Sequence, residues 1–245
     1  MHAVALTDIG RQRLMNQDCI YASSTPVGPL PDLFIVADGM GGEKAGDYAS
    51  KSLVSYMLSS LQTTMKTPVA AVREAIEFAN TSLYAESQAN PNLAGMGTTV
   101  VAATIVDSVL YTFNVGDSRL YIIRETENEV QQITKDHSYV EMLVSYGVID
   151  RESEEYKKNK AKITRAVGTE EEILVDCFET ELDGSEKILL CSDGLTNMVD
   201  NEIILKIIKS GASLEASARR LVEEANLNGG RDNISVVLIE NDMRW

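Results

Sequence analysis

The sequence predicts an α+β fold, antiparallel sheets flanked by helices, and three observations carry that reading. Two long stretches of helical spacing lie together early in the chain, a meander of β-branched runs follows, and two more helical stretches precede a last apolar run. Such an order segregates helices from strands, whereas a parallel sheet needs a crossover between successive strands. The chain has 245 residues, 44% hydrophobic and 24% charged, with a formal net charge of −15. That is an ordinary globular composition, and a chain of this length buries roughly 70–75% of the surface it exposes when unfolded. No linker rich in proline, serine or glycine, no low-complexity tract and no internal repeat divides it. A single domain over residues 1–245 is expected.

Taken in order, residues 32–37 (DLFIVA) read as a buried strand entering a turn at Asp38-Gly39. From 45 to 65 the apolar residues Ala45, Ala49, Leu53, Tyr56, Met57 and Leu61 recur at helical spacing. Pro68 suits a first helical turn and opens a second helix, with Val69, Val72, Ile76, Ala79 and Leu83 on one face. After Gly95-Met96-Gly97-Thr98-Thr99, the runs 100–106, 109–115 and 119–123 are strands parted by Asp107-Ser108 and Gly116-Asp117-Ser118. The mixed charges of 150–162 suit a solvated helix or flap rather than a linker. Residues 173–179 and 186–191 read as strands, 202–209 and 214–226 as helices, and 234–239 (ISVVLI) as a last strand.

The acidic balance argues against a nucleic-acid partner, which needs a basic stripe, and against anionic membrane surfaces. No run approaches the ~18 consecutive apolar residues of a membrane span. The start, Met1-His2-Ala3-Val4, lacks the basic flank and apolar core of a signal peptide, so a cytoplasmic protein is expected. Cys19, Cys177 and Cys191 sit in apolar runs without CxxC spacing and read as buried, reduced thiols. The nine methionines are scattered at core-like spacing and read as filler.

Aspartates recur beside glycine or asparagine at strand ends: Asp38-Gly39, Gly116-Asp117, Asp193-Gly194 and Asp232-Asn233. Any one alone is most simply a turn, since Asp bonds its own backbone and Gly accepts positive φ. Four together differ, because the flanking runs (LFIVA, LYTFNV, EKILLCS and ISVVLI) are all candidate central strands. Side by side, those strands would gather four carboxylates, and clustered carboxylates repel unless a divalent cation joins them. Oxygen ligands with no matching His or Cys select Mg²⁺ or Mn²⁺. Two ions bridged by one carboxylate would acidify a water held between them and make it a nucleophile at neutral pH. Gly41 and Gly46 have Walker A spacing, but Asp47-Tyr48 stands where Lys-Ser/Thr is required, and no GxGxxG loop is present. What remains is a tight turn in which the Gly39 carbonyl is a natural extra metal ligand. The fork of Arg13 suits a phosphate oxyanion or, equally on local sequence, a surface pair with Asp8 or Asp18.

Six blocks in one order carry a resemblance: Arg13-x-x-Asn16-Gln17-Asp18, Val36-Ala37-Asp38-Gly39-Met40-Gly41-Gly42, Gly95-Met96-Gly97-Thr98-Thr99, Gly116-Asp117-Ser118-Arg119, Ser192-Asp193-Gly194 and Gly230-Arg231-Asp232-Asn233. Together they resemble the metal-dependent serine/threonine phosphatases of the protein phosphatase 2C type, in their compact bacterial form. The match spans essentially the whole chain. The resemblance implies a β-sandwich of two antiparallel sheets flanked by pairs of α-helices, with two Mn²⁺ or Mg²⁺ ions in the core site and a third, weaker site. Asp38 matches the carboxylate bridging both ions, the Gly39 carbonyl a ligand of the second, and Asp193 and Asp232 the remaining ligands of the first. Asp117 matches a ligand of the third site, shared with Asp193. Asp18 matches an acid that holds water in the metal shell, Arg13 the phosphate-gripping arginine, and Asn233 a neighbour that orients the ligands. A mobile flap is implied near 138–163.

Two residues depart from the pattern. Gln17 stands where many members have Glu, which removes one negative charge and weakens the second ion's hold. Met40 stands where eukaryotic members often carry His; Met is usual in bacterial members but cannot donate a proton. The implied activity is hydrolysis of phosphoserine and phosphothreonine on proteins by in-line attack of water, with no phosphoenzyme. The implied partners are phosphoproteins and a transmembrane serine/threonine kinase whose action the enzyme reverses, with the phosphatase itself a monomer. A pseudophosphatase that binds without hydrolysing is the alternative, and the intact set Asp38, Asp193 and Asp232 speaks against it. His137, after a strand and before a helix, reads as a helix-entry residue rather than a general acid. His2 is terminal and uninformative, and Trp245 reads as a packing or fraying residue at the terminus.

Overall fold

The central apolar runs are continuous rather than alternating because both faces of their strands are covered. Along Leu33–Met40, Phe34 and Val36 face the space between two sheets, while Ile35 and Ala37 pack under helices. Ile234–Glu240 does the same on the other side, with Val237 and Ile239 inward and Val236 and Leu238 under helices. The computed structural model describes residues 1–124, 126–160 and 162–241, the side chains of 43, 44 and 157 excepted. Trp245 lies outside the described residues.

The strands are β1 (His2–Asp8), β2 (Asp18–Ser23), β3 (Leu33–Met40), β4 (Gly97–Thr98), β5 (Val100–Val106), β6 (Val109–Val115), β7 (Arg119–Arg124), β8 (Glu129–Gln132), β9 (Asp176–Glu181), β10 (Lys187–Cys191) and β11 (Ile234–Glu240). The helices are α1 (Glu43–Thr63), α2 (Pro68–Ala89), α3 (Tyr139–Ser145), α4 (Glu154–Asn159), α5 (Asp193–Thr196), α6 (Asn201–Ser210) and α7 (Leu214–Leu227). One sheet runs β1-β11-β10-β7-β8; the other runs β2-β3-β5-β6-β9, with β4 paired to β3. Every strand pairing among the described residues is antiparallel. The long helices α1 and α2 cover the outer face of the second sheet through Leu53, Met57, Leu61, Val72, Ile76 and Leu83. On the first sheet α6 and α7 do the same with Ile204, Ile207, Ile208, Leu214 and Leu221. This is the sandwich flanked by helix pairs that the motifs imply.

Three expectations need correction. The strand at 32–37 runs on through Asp38 and Gly39, and the turn falls at Gly41 and Gly42, with φ of +114° and +86°. Pairing of Asp18 with Asp38 on one side, and of Gly39 and Met40 with β4 on the other, holds that extension. The strands β1, β2 and β8 go beyond what apolar patterning marks, because their half-exposed patterns give no strong apolar run. Finally, the four aspartate-bearing strands do not lie side by side. β10 and β11 are neighbours in one sheet, while β3 and β6 belong to the other, separated by β5. Their ends meet across the sandwich, at one edge between the sheets.

Residues 138–163 leave and return at one point: Ser138 bridges Ile163, and the Tyr139 amide donates to the Lys162 carbonyl at 2.8 Å. Within the excursion, α3 is capped by the Ser138 hydroxyl and α4 by that of Ser153, each accepting from an amide three residues on.

Candidate active site

Near the end of β3, Asp38 stands directly opposite Asp18 of β2, a cross-strand like-charge pair that costs stability unless something offsets it. Asp193 follows β10 as the first residue of α5, Asp232 precedes β11, and Asp117 follows the Gly116 turn after β6. The five side chains feel one another. Burial and the neighbouring Asp18, Asp193, Asp117 and Asp232 hold the Asp38 carboxyl well above the usual range. Burial, with Asp193 and Asp232, pushes Asp18 up to about 7 even though Ser235 and Ser192 hydrogen bonds pull it down. Asp117 rises to about 8 through burial, Asp193 and Asp136. Asp193 rises to about 6 through burial and Asp232.

Protein donors reach Asp18, Asp193 and Asp232, but they do not satisfy every oxygen. Ser192 Oγ donates to Asp18 Oδ2 at 2.8 Å and Asn197 Nδ2 to Asp193 Oδ2 at 2.8 Å, yet Asp18 Oδ1 and Asp193 Oδ1 are buried with no partner. Asp232 turns Oδ2 to Arg13 Nη2 at 2.6 Å. With oxygens drawn toward these donors, no three His, Cys, Asp or Glu side chains among the described residues close into a ligating set. The chemistry of the cluster nevertheless fits hard divalent cations: several carboxylates, two orphaned buried oxygens, mutual repulsion, and no imidazole or thiolate among them. The strand ends are built for close approach. A Cβ on Gly39 would stand 2.0 Å from the Gly46 carbonyl, and one on Gly194 only 1.9 Å from the Asn233 carbonyl.

The Arg13 loop is fastened by buried Asn233, whose Nδ2 donates to the Ile9 carbonyl at 2.9 Å and the Met15 carbonyl at 3.0 Å. Its Oδ1 accepts from the Gln17 amide at 2.9 Å. Gln17 Nε2 reaches the Gly42 carbonyl at 2.8 Å, and the Gln17 carbonyl accepts from Gly39 N and from buried Ser50 Oγ. Arg13 pairs with neither Asp8 nor Asp18: its partner is Asp232, half-exposed at the mouth of the cluster.

The family model for protein phosphatase 2C matches residues 9–229. The chain belongs to the protein phosphatase 2C family. It is 39% identical to the serine/threonine phosphatase Stp of Listeria monocytogenes, over 99% of this chain and 97% of that one. The solved serine/threonine phosphatase of S. agalactiae superposes with a TM-score of 0.89 at 34% identity, covering 98% of each chain. The catalytic domain of the phosphatase PstP, solved in complex with two manganese ions, superposes with a TM-score of 0.80 at 33% identity, covering 97% of this chain and 96% of that one. Membership makes the chain metal-dependent.

Beside the cluster lies a polar pocket of about 200 Å³ bordered by Asp117, Asp193, Asn197 and Lys160. A larger cavity of about 870 Å³ adjoins it under α3 and α4, lined by Arg119, Arg151, Arg165 and their acidic partners. The motif blocks contained Ser192 and Thr99 without assigning them work. Ser192 holds Asp18, and Thr99 Oγ1 accepts from the Asp38 amide at 3.0 Å. Cys19 and Cys177 are half-buried and only Cys191 is fully buried; all three are free. Cys19 and Cys177 lie on β2 and β9, the two outer strands of their sheet, a position that run length alone does not reveal.

Proposed function

We propose that the carboxylate cluster is the catalytic centre of a protein serine/threonine phosphatase. The observation that carries this reading is the gathering of Asp18, Asp38, Asp117, Asp193 and Asp232 at one sandwich edge with Arg13 across its mouth. Asp38 and the Gly39 carbonyl, with Asp193 and Asp232, would hold two ions; Asp117 with Asp193 would hold a third, and Asp18 beside Gln17 would complete the shell. Manganese is the favoured ion, supported by the PstP complex. When bound, the ions neutralise the cluster and acidify water enough for it to attack at neutral pH.

The remaining work falls to the chain. The planar fork of Arg13 can exchange its single Asp232 contact for two phosphate oxygens, which orients the phosphoryl group over the cluster. Asn233 fixes that arginine's loop, and Ser192, Thr99 and Asn197 set the carboxylates and strand ends. Met40 has no proton to give the leaving oxygen. Substrates are phosphoserine- and phosphothreonine-bearing proteins. On resemblance alone, we take the unit to be one catalytic domain over 1–245 with its flap at 138–163. It would act as a cytoplasmic monomer opposite a membrane serine/threonine kinase. No helix among the described residues is long and apolar enough to cross a membrane. Hydrolysis of a phosphothreonine peptide should cease after exhaustive chelation and return with Mn²⁺ more fully than with Mg²⁺. Full turnover in the chelated protein would sink the reading.

A further inference from the structure

His137 is buried and does more than open a helix. Its amide donates to the Gly116 carbonyl at 2.9 Å, and the Gly116 amide donates back to His137 Nδ1 at 3.0 Å. An amide can only donate, so Nδ1 is bare and the neutral ring carries its proton on Nε2. That Nε2 lies 3.2 Å from Asp176 Oδ2. Arg165 Nη1 also sits 3.0 Å from Nε2, but both atoms bear hydrogen; its acceptors are Asp176 Oδ1 at 2.8 Å and the Leu174 carbonyl at 3.1 Å. Burial holds the imidazole below its ordinary pKa, in keeping with the neutral ring.

Gly116, the residue so clamped, immediately precedes Asp117. It has φ of +107°, and a Cβ there would stand 2.6 Å from Thr99, so the turn is pinned from below. Asn114 Nδ2 reaches the same Gly116 carbonyl at 3.3 Å and the Lys135 carbonyl at 3.0 Å. On the other side, the His137 carbonyl accepts from Thr164 N at 2.7 Å, at the base of the 138–163 excursion.

We propose that His137 is a positioning residue for Asp117: its Nδ1 fixes the Gly116 turn that aims Asp117 at Asp193, and its backbone ties that turn to the base of the flap. The inference rests on the reading of Asp117 as a metal-site residue. Side-chain geometry offers a direct test, since Asn Oδ1 falls where Nδ1 stands and Gln Nε2 falls where Nε2 stands. His137→Asn keeps the acceptor for Gly116, whereas His137→Gln keeps only the donor toward Asp176.

The readouts are the Mn²⁺ concentration that half-saturates the rise in melting temperature and the hydrogen exchange of the peptide spanning 114–118. His137→Gln and His137→Ala should weaken the Asp117-dependent part of the Mn²⁺ response about 10-fold and speed exchange at Gly116, as loss of an outer-shell partner does. His137→Asn should stay near wild type in both. Asp117→Ala defines the Asp117-dependent part. If that variant leaves the Mn²⁺ response unchanged, the reading of Asp117 fails and the inference with it. If Asp117→Ala alters the response while Asn and Gln at 137 behave alike, or Gln behaves better, the clamp itself is overturned.

Discussion

Under the proposed function, the partner of Arg13 in the structure, Asp232, is not its working partner. Its ion pair with Asp232 is partly exposed, and such pairs are worth only ~0–1 kcal/mol, so exchange for phosphate meets little resistance. Arg13→Ala should raise KM clearly, lower kcat, and make inorganic phosphate a poorer competitive inhibitor at saturating Mn²⁺. Arg13→Lys should recover only part, because a point charge cannot make two parallel bonds. Equal phosphate inhibition constants in wild type and Arg13→Ala would remove the residue from the phosphate site. Asp38 illustrates the opposite tension, since its carboxylate is held among others at a cost to the fold. Asp38→Asn should lower turnover about a hundredfold, near 3 kcal/mol of barrier, while raising the melting temperature of the metal-free protein. An unchanged or lower metal-free melting temperature would show that repulsion among the carboxylates is not stored in the fold.

At the scale of elements, the site is a meeting of loop ends, and Asn233 fastens one of them. Removing its side chain strips three hydrogen bonds from the 9–17 loop and leaves the Gln17 amide and two carbonyls without that partner. Asn233→Ala should therefore cost about 2–3 kcal/mol, lower the melting temperature by several degrees, and expose the loop to trypsin at Arg11 and Arg13. A loop that resists trypsin as well as wild type would mean that neighbouring contacts suffice. The central strands beneath, β3, β5, β10 and β11, are covered on both faces and bear little besides aliphatic residues. The proposed catalytic centre sits at their ends, where backbone runs out of ladder partners and carboxylates can point into a cleft.

For the molecule as a whole, one buried acid outside the site makes stability depend on pH. Asp32, 2% exposed, accepts from the Ile105 amide at 2.9 Å, and burial pushes its carboxyl up to about 6. The folded chain keeps this proton between pH ~4 and ~6 while the unfolded chain loses it, so this group lowers stability as pH rises through that window. The loss is complete above about pH 6, at no more than about 3 kcal/mol. Asp32→Asn preserves the acceptor and removes the titration. The variant should gain melting temperature over wild type at pH 8 but not at pH 4. A difference between the two proteins that stays constant from pH 4 to 8 would rule out the titration of Asp32 as its source.

Local pattern alone set α1, α2, α6 and α7 near their observed limits and marked the apolar strands, because a helical face or a doubly buried run is written within ten or so neighbouring residues. The motif blocks likewise singled out Asp38, Asp117, Asp193, Asp232 and Arg13 as candidate site residues without any structure. Tertiary structure decided what depends on distant partners. It distributed the aspartate-bearing strands between two sheets, set Asp18 opposite Asp38, and gave β1 and β2 their ladders. It also joined Arg13 to Asp232, 219 residues away in the chain, and set His137 against Gly116. Those pairings arise from the packing of whole sheets across a shared core, and no short stretch of sequence contains both halves of any of them.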